Sequence, residues 1–329
     1  MKKILSFIFA ISYLILSTNK VDASGLSLGV YPPIIKIEAI PPASITTPIV
    51  IQNLSDDTVT LKILFKPFTA SEKENGEIKY LENDFNPPDP LIFQKIQVFE
   101  EESRIEELIL SPQQEKKLAL HVGIPKDEPL TDYYFSIVFI SKDKLMDQTN
   151  TNLSGVSGGI AANVLLSIGP KGKTEGSIEE FSAPFFFDKG PVLFKVRIKN
   201  TGKRVIAPSG EIMIKNMFGQ TVGKVDLLPV NILAGTVRAI PDSLQSPEAT
   251  TSQSIIYNLS STISPTAVWP EIFLLGPYTA TLRIALSEEG PLFVKTIYFF
   301  GFPTQALFGL IIAVLIALFV INRVRSKLN

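Results

Sequence analysis

Along most of this chain, apolar side chains return at every second residue, a period that only a pleated strand sorts onto one face. The clearest case is residues 58–66, where Val59, Leu61, Ile63 and Phe65 share one face and Thr58, Thr60, Lys62 and Lys66 the other. Leu118, Leu120, Val122 and Ile124 repeat the pattern, with Lys117, Ala119, His121 and Gly123 facing outward. So do Val192, Phe194, Val196 and Ile198, and later Tyr278, Ala280, Leu282, Ile284 and Leu286. No sustained helical period competes with them. Strands separated by clusters of Pro, Gly, Asn and Asp predict an all-β fold of β-sandwich domains.

Both ends of the chain break the alternation. Met1-Lys2-Lys3, an apolar run over 4–16 and the small residues around Ala23 have the layout of an export signal, so residues 1–23 are expected to be a signal peptide. Retention of that segment as an uncleaved anchor is the alternative, and it leaves the middle of the chain on the same side. Residues 299–321 carry no charge, and as a helix they would span roughly 34 Å, enough to cross a hydrocarbon core. Arg323, Arg325 and Lys327 follow at once, which predicts a transmembrane helix with a short basic cytoplasmic tail, 322–329. The expected product is a single-pass membrane protein with an extracytoplasmic N-terminal ectodomain.

That ectodomain, about 275 residues, suits two domains of ordinary size, expected at 24–170 and 171–298. The division falls at Gly169-Pro170-Lys171-Gly172-Lys173, a Gly- and Lys-rich stretch after a strand over 160–168. Asn75-Gly76 predicts a two-residue type I′ turn, and Asn200-Thr201-Gly202 a similar one. Two long segments, 142–159 and 242–265, read as working loops or insertions.

The formal net charge of −1 gives no field suited to nucleic acid, and none is expected as a partner. With no cysteine, thiol catalysis, iron–sulfur clusters and the usual structural zinc sites are excluded, and stability must come from core burial. His121, the sole histidine, sits on the outward side of its strand, and no Gly-x-Ser-x-Gly elbow accompanies it. Glu100, Glu101, Glu102, Glu106 and Glu107 form an acidic cluster without the ligand alternation of a calcium loop. Glu82, Asp84 and Asp89, around Asn86-Pro87-Pro88, are likewise weak calcium candidates. Residues 154–159 are Gly-rich but lack the lysine of a phosphate loop. The chain is therefore expected not to be an enzyme and to use no cofactor or metal. Phe185, Phe186 and Phe187, with Phe181 and Phe194 nearby, are expected to fill a core or an interdomain contact, an exposed aromatic patch being the other option. Trp269 is either a core plug or a loop-borne contact.

Several segments carry a resemblance. Leu28-Gly29-Val30-Tyr31-Pro32-Pro33-Ile34-Ile35-Lys36-Ile37, continuing to Ile51-Gln52-Asn53-Leu54-Ser55, resembles the opening of pilus-chaperone-like immunoglobulin domains. Asp132-Tyr133-Tyr134-Phe135-Ser136-Ile137 looks like the tyrosine-bearing strand F of that class. Phe68-Thr69-Ala70 through Asn75-Gly76-Glu77-Ile78-Lys79-Tyr80 is similar to part of the N-terminal domain of WxL-interacting cell-surface proteins, which share this order of signal, two immunoglobulin-like domains, helix and basic tail. The resemblance implies two tandem immunoglobulin-like β-sandwiches and a membrane-anchored binding or structural protein of a bacterial envelope. Its implied partners are another envelope protein or a cell-wall polymer, with the lipid bilayer held through the C-terminal helix. A tethered assembly chaperone acting by strand donation is the alternative. Pilus chaperones hold a subunit's terminal carboxylate with a basic pair between domains, and Lys36, Lys171 and Lys173 are the candidates here by position.

Overall fold

A computed structural model describes residues 26–81, 94–142, 158–243, 266–287 and 290–304, together with helical residues 312, 314–316 and 318. It is built almost wholly of strands. The first eleven are β1 (Leu28–Tyr31), β2 (Ile34–Ala39), β3 (Ala43–Asn53), β4 (Val59–Ala70), β5 (Ile78–Tyr80), β6 (Ile96–Glu100), β7 (Ser103–Ile105), β8 (Glu107–Leu110), β9 (Glu115–Ile124), β10 (Asp132–Ser141) and β11 (Gly159–Ile168). Nine more follow: β12 (Gly176–Ser182), β13 (Phe186–Phe187), β14 (Val192–Asn200), β15 (Ser209–Lys215), β16 (Thr221–Leu227), β17 (Val237–Ala239), β18 (Ala267–Trp269), β19 (Gly276–Ala285) and β20 (Leu292–Gly301).

The strands form four sheets that face each other in two pairs. In the first pair, β1-β3-β9-β6-β7 packs on β2-β11-β10-β4-β5, with β8 joined to β4. In the second, β12-β14-β17, with β18 on β14, packs on β13-β20-β19-β15-β16. Each pair encloses its own core. The first core runs from Ile35 to Ile168 and includes Leu61, Leu120 and Phe135; the second runs from Phe181 to Phe299 and includes Val196, Ile214 and Leu282. All four alternating segments put the expected side chains inward, apart from the half-buried Phe65. Deleting the ring of a fully buried phenylalanine such as Phe135 would cost about 3–5 kcal/mol.

The chain enters the first sandwich by changing sheets. β1 pairs antiparallel with β3, and after Pro32 and Pro33 the chain crosses over, so that β2 pairs parallel with β11. Proline lacks the amide donor that a continuing ladder needs, so this is where the strand can leave one sheet for the other.

Two expectations change. The Asn75-Gly76 connection is not a two-residue turn. β4 ends at Ala70 and β5 starts at Ile78, and positive φ falls on Glu74 (57°) and Gly76 (91°), not on Asn75. The Asn75 side-chain oxygen instead accepts from the Glu77 amide at 3.0 Å, which folds the chain locally without a left-handed Asn. Asn200 makes the same kind of contact to the Gly202 amide, also at 3.0 Å.

The second change concerns the apolar C-terminal run. β20 continues to Gly301, so Phe299, Phe300 and Gly301 are strand and not the start of a membrane helix. Phe299 is 1% exposed, and its ring stacks on Tyr278 at 5.2 Å and meets Trp269 edge-on at 6.4 Å. Continuous apolarity hid the join, because a buried strand and a membrane helix read alike over a short run. Among the described residues, no helix is long and apolar enough to cross a membrane. Helical conformation begins at Thr304, and the described side chains beyond it, such as Leu315 and Leu318, are exposed. Most of 305–321 lies outside the described residues, as do 143–157 and 244–265, and with them most of both long segments singled out from the sequence.

Membership of Phe299 in the sandwich has a measurable consequence. Phe299→Ala should destabilise the protein by about 3–5 kcal/mol in urea unfolding followed by Trp269 fluorescence. A residue lying in lipid would leave that transition where it is.

Candidate functional site

The outer face of the sheet containing β10 and β11 is covered by the second half of the chain. Phe68 of β4 and Leu165 of β11 bury with Leu233 in a third apolar cluster, packed about by Ile78, Tyr134 and Val205. The rings of Phe68 and Tyr134 stack at 6.3 Å. Tyr134 points outward because its neighbour Tyr133 points into the first core, where its hydroxyl donates to Glu128 at 3.0 Å.

Polar contacts fix the junction at two places. At the first, the Asp132 carboxylate, 2% exposed, accepts from the Val205 amide at 2.6 Å, from Arg204 at 3.3 Å and from the Tyr134 hydroxyl at 3.1 Å. Arg204 also donates to the Ile168 carbonyl at 2.7 Å, and the Ala234 amide donates to the Tyr134 oxygen at 3.3 Å. Burial, with the Asp132 charge adding to it, pushes the Tyr134 phenol far above the usual tyrosine range, so it stays a neutral donor. At the second, Glu74 in the β4–β5 turn takes the Arg197 guanidinium in bidentate fashion, and its carbonyl accepts from the Ala239 amide at 2.9 Å. Hydrogen bonds that Arg197 donates to Glu74 hold its pKa above the ordinary arginine value, and Glu180 adds to the effect.

Between these ties lies a cavity of about 100 Å³, walled by Ile34, Phe68, Ile78, Leu165, Leu233 and Val237. Arg238 of β17 reaches into it. One terminal nitrogen donates to the Asn231 carbonyl at 2.6 Å, while Nε is the one buried side-chain nitrogen or oxygen without a hydrogen-bond partner among the described residues. Burial lowers the Arg238 pKa below the ordinary arginine value, because an unpaired charge out of water is costly. The guanidinium lies against Gly76, where an added Cβ would come within 2.1 Å of its nitrogen. With the positive φ there, both space and backbone require glycine.

Two carboxylates line the same cavity, and both are engaged elsewhere. Glu74 binds Arg197. Glu77 is held by Lys73 at 2.9 Å and Asn75 at 2.8 Å, and these contacts keep its carboxyl below the usual range. Among the described residues, Arg238 therefore pairs with no carboxylate. What the cavity offers is one partly desolvated cation between apolar walls, a place for one carboxylate or another small anion.

Beside the cavity, the two flanks of β11 are paired over different lengths among the described residues, and Leu26 and Leu28 pack with Ile160 ahead of the β2 ladder. β10 pairs with β11 from Gly159 onward, but β2 joins its other side only at Asn163, opposite Ile34. Asn163 and Ile34 both line the cavity, so the flank of 159–162 runs up to it.

Of the lysines singled out from the sequence, Lys36 lies nearest, exposed on β2 in register with Leu165. It does not line the cavity. Lys171 is exposed with its ammonium 3.5 Å from Glu38, and Lys173 is exposed in the connection between β11 and β12. The structure does not bring the three together around one pocket. Arg238 carried no sequence signal, since a lone arginine in a three-residue strand looks like any surface charge.

The remaining candidates fall elsewhere. Glu100 pairs with Lys116 at 2.8 Å and Glu106 with Arg104 at 3.1 Å, while Glu107 pairs with Lys142. No group of three acidic or imidazole side chains suited to a metal occurs among the described residues. Glu82, Asp84 and Asp89 lie outside them, as does most of the Gly-rich stretch 154–159. His121 sits on the strand face with its Nδ1 3.3 Å from the Thr46 hydroxyl. Trp269 is a core residue at 5% exposure, but Phe185 and Phe186 are exposed and only Phe187 packs on the core, contrary to the expectation for the triplet.

No protein-family model matches the sequence, and no curated protein matches it. Among solved structures, the chain is similar to the class 5 fimbriae chaperone CfaA, at 13% identity over 82% of this chain and 98% of that one, TM-score 0.36. It is similar to the Escherichia coli chaperone DraB at 11% identity over 83% and 98%, TM-score 0.34. A Salmonella enterica SafA pilin–SafB chaperone complex gives 9% identity over 83% and 97%, TM-score 0.33.

The junction is open to test. Asp132→Ala should cost about 2–4 kcal/mol in chemical unfolding, because it removes the acceptor of the Val205 N–H and leaves Arg204 only the Ile168 carbonyl. Asp132→Asn keeps one acceptor and should lose less.

Proposed function

We propose that this chain is a membrane-tethered extracytoplasmic protein that binds an exported polypeptide, acting as an assembly chaperone for envelope subunits. The observation that carries this is Arg238, a desolvated guanidinium without a carboxylate partner among the described residues, set in a small apolar cavity between two β-sandwiches. A cavity of that size suits a chain terminus or one acidic side chain better than a polymer repeat.

The organisation that goes with this function is an export signal at 1–23, immunoglobulin-like domains at 24–170 and from 171 on, and a membrane helix with a basic cytoplasmic tail at 322–329. On this reading the second domain runs to Gly301, the end of β20, and the membrane helix begins near Thr304, the first helical residue after it. Lys36, exposed beside the groove, is a second positive group for a ligand leaving the cavity, whereas Lys171 and Lys173 lie farther along the β11–β12 connection.

Calorimetric titration of the full chain in nanodiscs with a short alternating apolar peptide tests this. The peptide with a free terminal carboxylate should bind about ten- to a hundredfold more tightly than its amide, the worth of a charged hydrogen bond. Arg238→Met, which keeps the bulk and removes the charge, should erase that difference. Equal binding of acid and amide by the unaltered protein would rule out the carboxylate role.

A further inference from the structure

One end of the second sandwich gathers several large exposed apolar side chains. β20 leaves there, at Gly301, paired with Gly276 at the start of β19. Three other segments gather around that exit. Phe185 and Phe187 accept from the Phe300 and Phe302 amides at 2.7 and 2.9 Å, and the Gly190 amide donates to the Ile272 carbonyl at 2.9 Å. The β15–β16 turn joins them through Met217, whose methyl lies 2.3 Å from where a Cβ on Gly276 would stand.

Each segment presents large apolar side chains to the outside. Phe218 at the tip of the β15–β16 turn is 78% exposed, Phe185 73%, Ile272 68% and Phe273 61%, with Met217 and Leu275 half exposed. None of these side chains belongs to the core below, which includes Phe299, Trp269 and Tyr278. Clustered exposure of this kind at one end marks a surface that meets something apolar.

Where the chain goes next identifies the occupant. Only Phe302 and Pro303 separate β20 from Thr304, the first helical residue, whose amide is capped by the Asp188 carboxylate at 2.6 Å. The cap ties the helix start to the β13 loop, so the following segment begins within the ring of exposed side chains. Residues 304–321 are uncharged and as a helix would measure roughly 27 Å, slightly less than a hydrocarbon core of about 30 Å. A span that short draws its flanking residues into the interface.

We infer that Phe185, Met217, Phe218, Ile272, Phe273 and Leu275 form a collar that dips into the outer leaflet around the helix, with the lipid bilayer as its partner. The inference rests on the membrane anchoring proposed above. Charges at this end agree with it. Lys189 and Lys215 are exposed where lipid phosphates would lie, and the Glu271 carboxylate turns back to accept from the Phe273 amide at 3.3 Å. Aromatic and aliphatic tips with flanking lysines are the composition that interfacial anchoring uses.

Absence of cysteine makes the test direct. Phe218→Cys, Phe273→Cys and Leu292→Cys are made separately in the full chain and labelled with an environment-sensitive fluorophore. Leu292 is equally exposed but starts β20, about 30 Å from Gly301 along the strand. Each protein is reconstituted into phosphatidylcholine–phosphatidylglycerol vesicles with nitroxide-labelled lipid. Labels at 218 and 273 should shift to the blue and be quenched severalfold, with the label at 292 unchanged. If the protein floats with the vesicles but 218 and 273 behave like 292, the collar is wrong and the anchor stands. If the protein does not float, collar and anchor both fall.

Discussion

Asp132 holds the two halves of this protein together. Its carboxylate is almost completely buried, yet its acceptors are used by an amide, a guanidinium and a phenol, two of them from the second half or its edge. A buried carboxylate is tolerable only with such partners, and removing any one leaves a costly unpaired group. The arrangement thus fixes how Val205 and Arg204 meet the end of β10. The apolar contact of Phe68, Leu165 and Leu233 then closes beside it, and Glu74 with Arg197 secures the far side. The groove is what remains between those ties.

Much of the fold was legible because it is local. Val192, Phe194, Val196 and Ile198 alternate in the sequence and all four are buried, since a two-residue period needs only one strand to express it. The junction is different. Asp132 and Val205, or Glu74 and Arg197, are brought together by the packing of separate sheets, and no spacing along the chain encodes that meeting. Gly76 shows the boundary between the two cases. Its turn was visible from Asn75-Gly76, but its second duty, leaving room for Arg238, belongs to a strand far along the chain. Arg238 was invisible for the same reason, while Lys36, Lys171 and Lys173 are exposed.

The two ends of the second sandwich have opposite characters. The junction end is polar and tightly bonded, whereas the end where β20 leaves is apolar and open. Phe299 marks the transition, because the apolar run that looked like one membrane segment is divided between a strand in the core and a helix beginning at Thr304. If the proposed C-terminal anchor holds, so short a connection together with the junction ties would keep the cavity at a set height above the membrane. A polypeptide emerging at that surface would then meet Arg238 in a constant orientation.

The ties at Asp132 and Glu74 would make the two sandwiches one rigid body around a preformed cavity. Pulsed dipolar spectroscopy on the full chain tests this most directly, with spin labels on cysteines replacing the exposed Glu102 and Gln220, one in each half. A single narrow distance distribution, unchanged when an acidic peptide is added and broadened by Asp132→Ala, is the predicted result. A broad distribution in the unaltered protein would mean that the halves move independently and that the groove is not a fixed site.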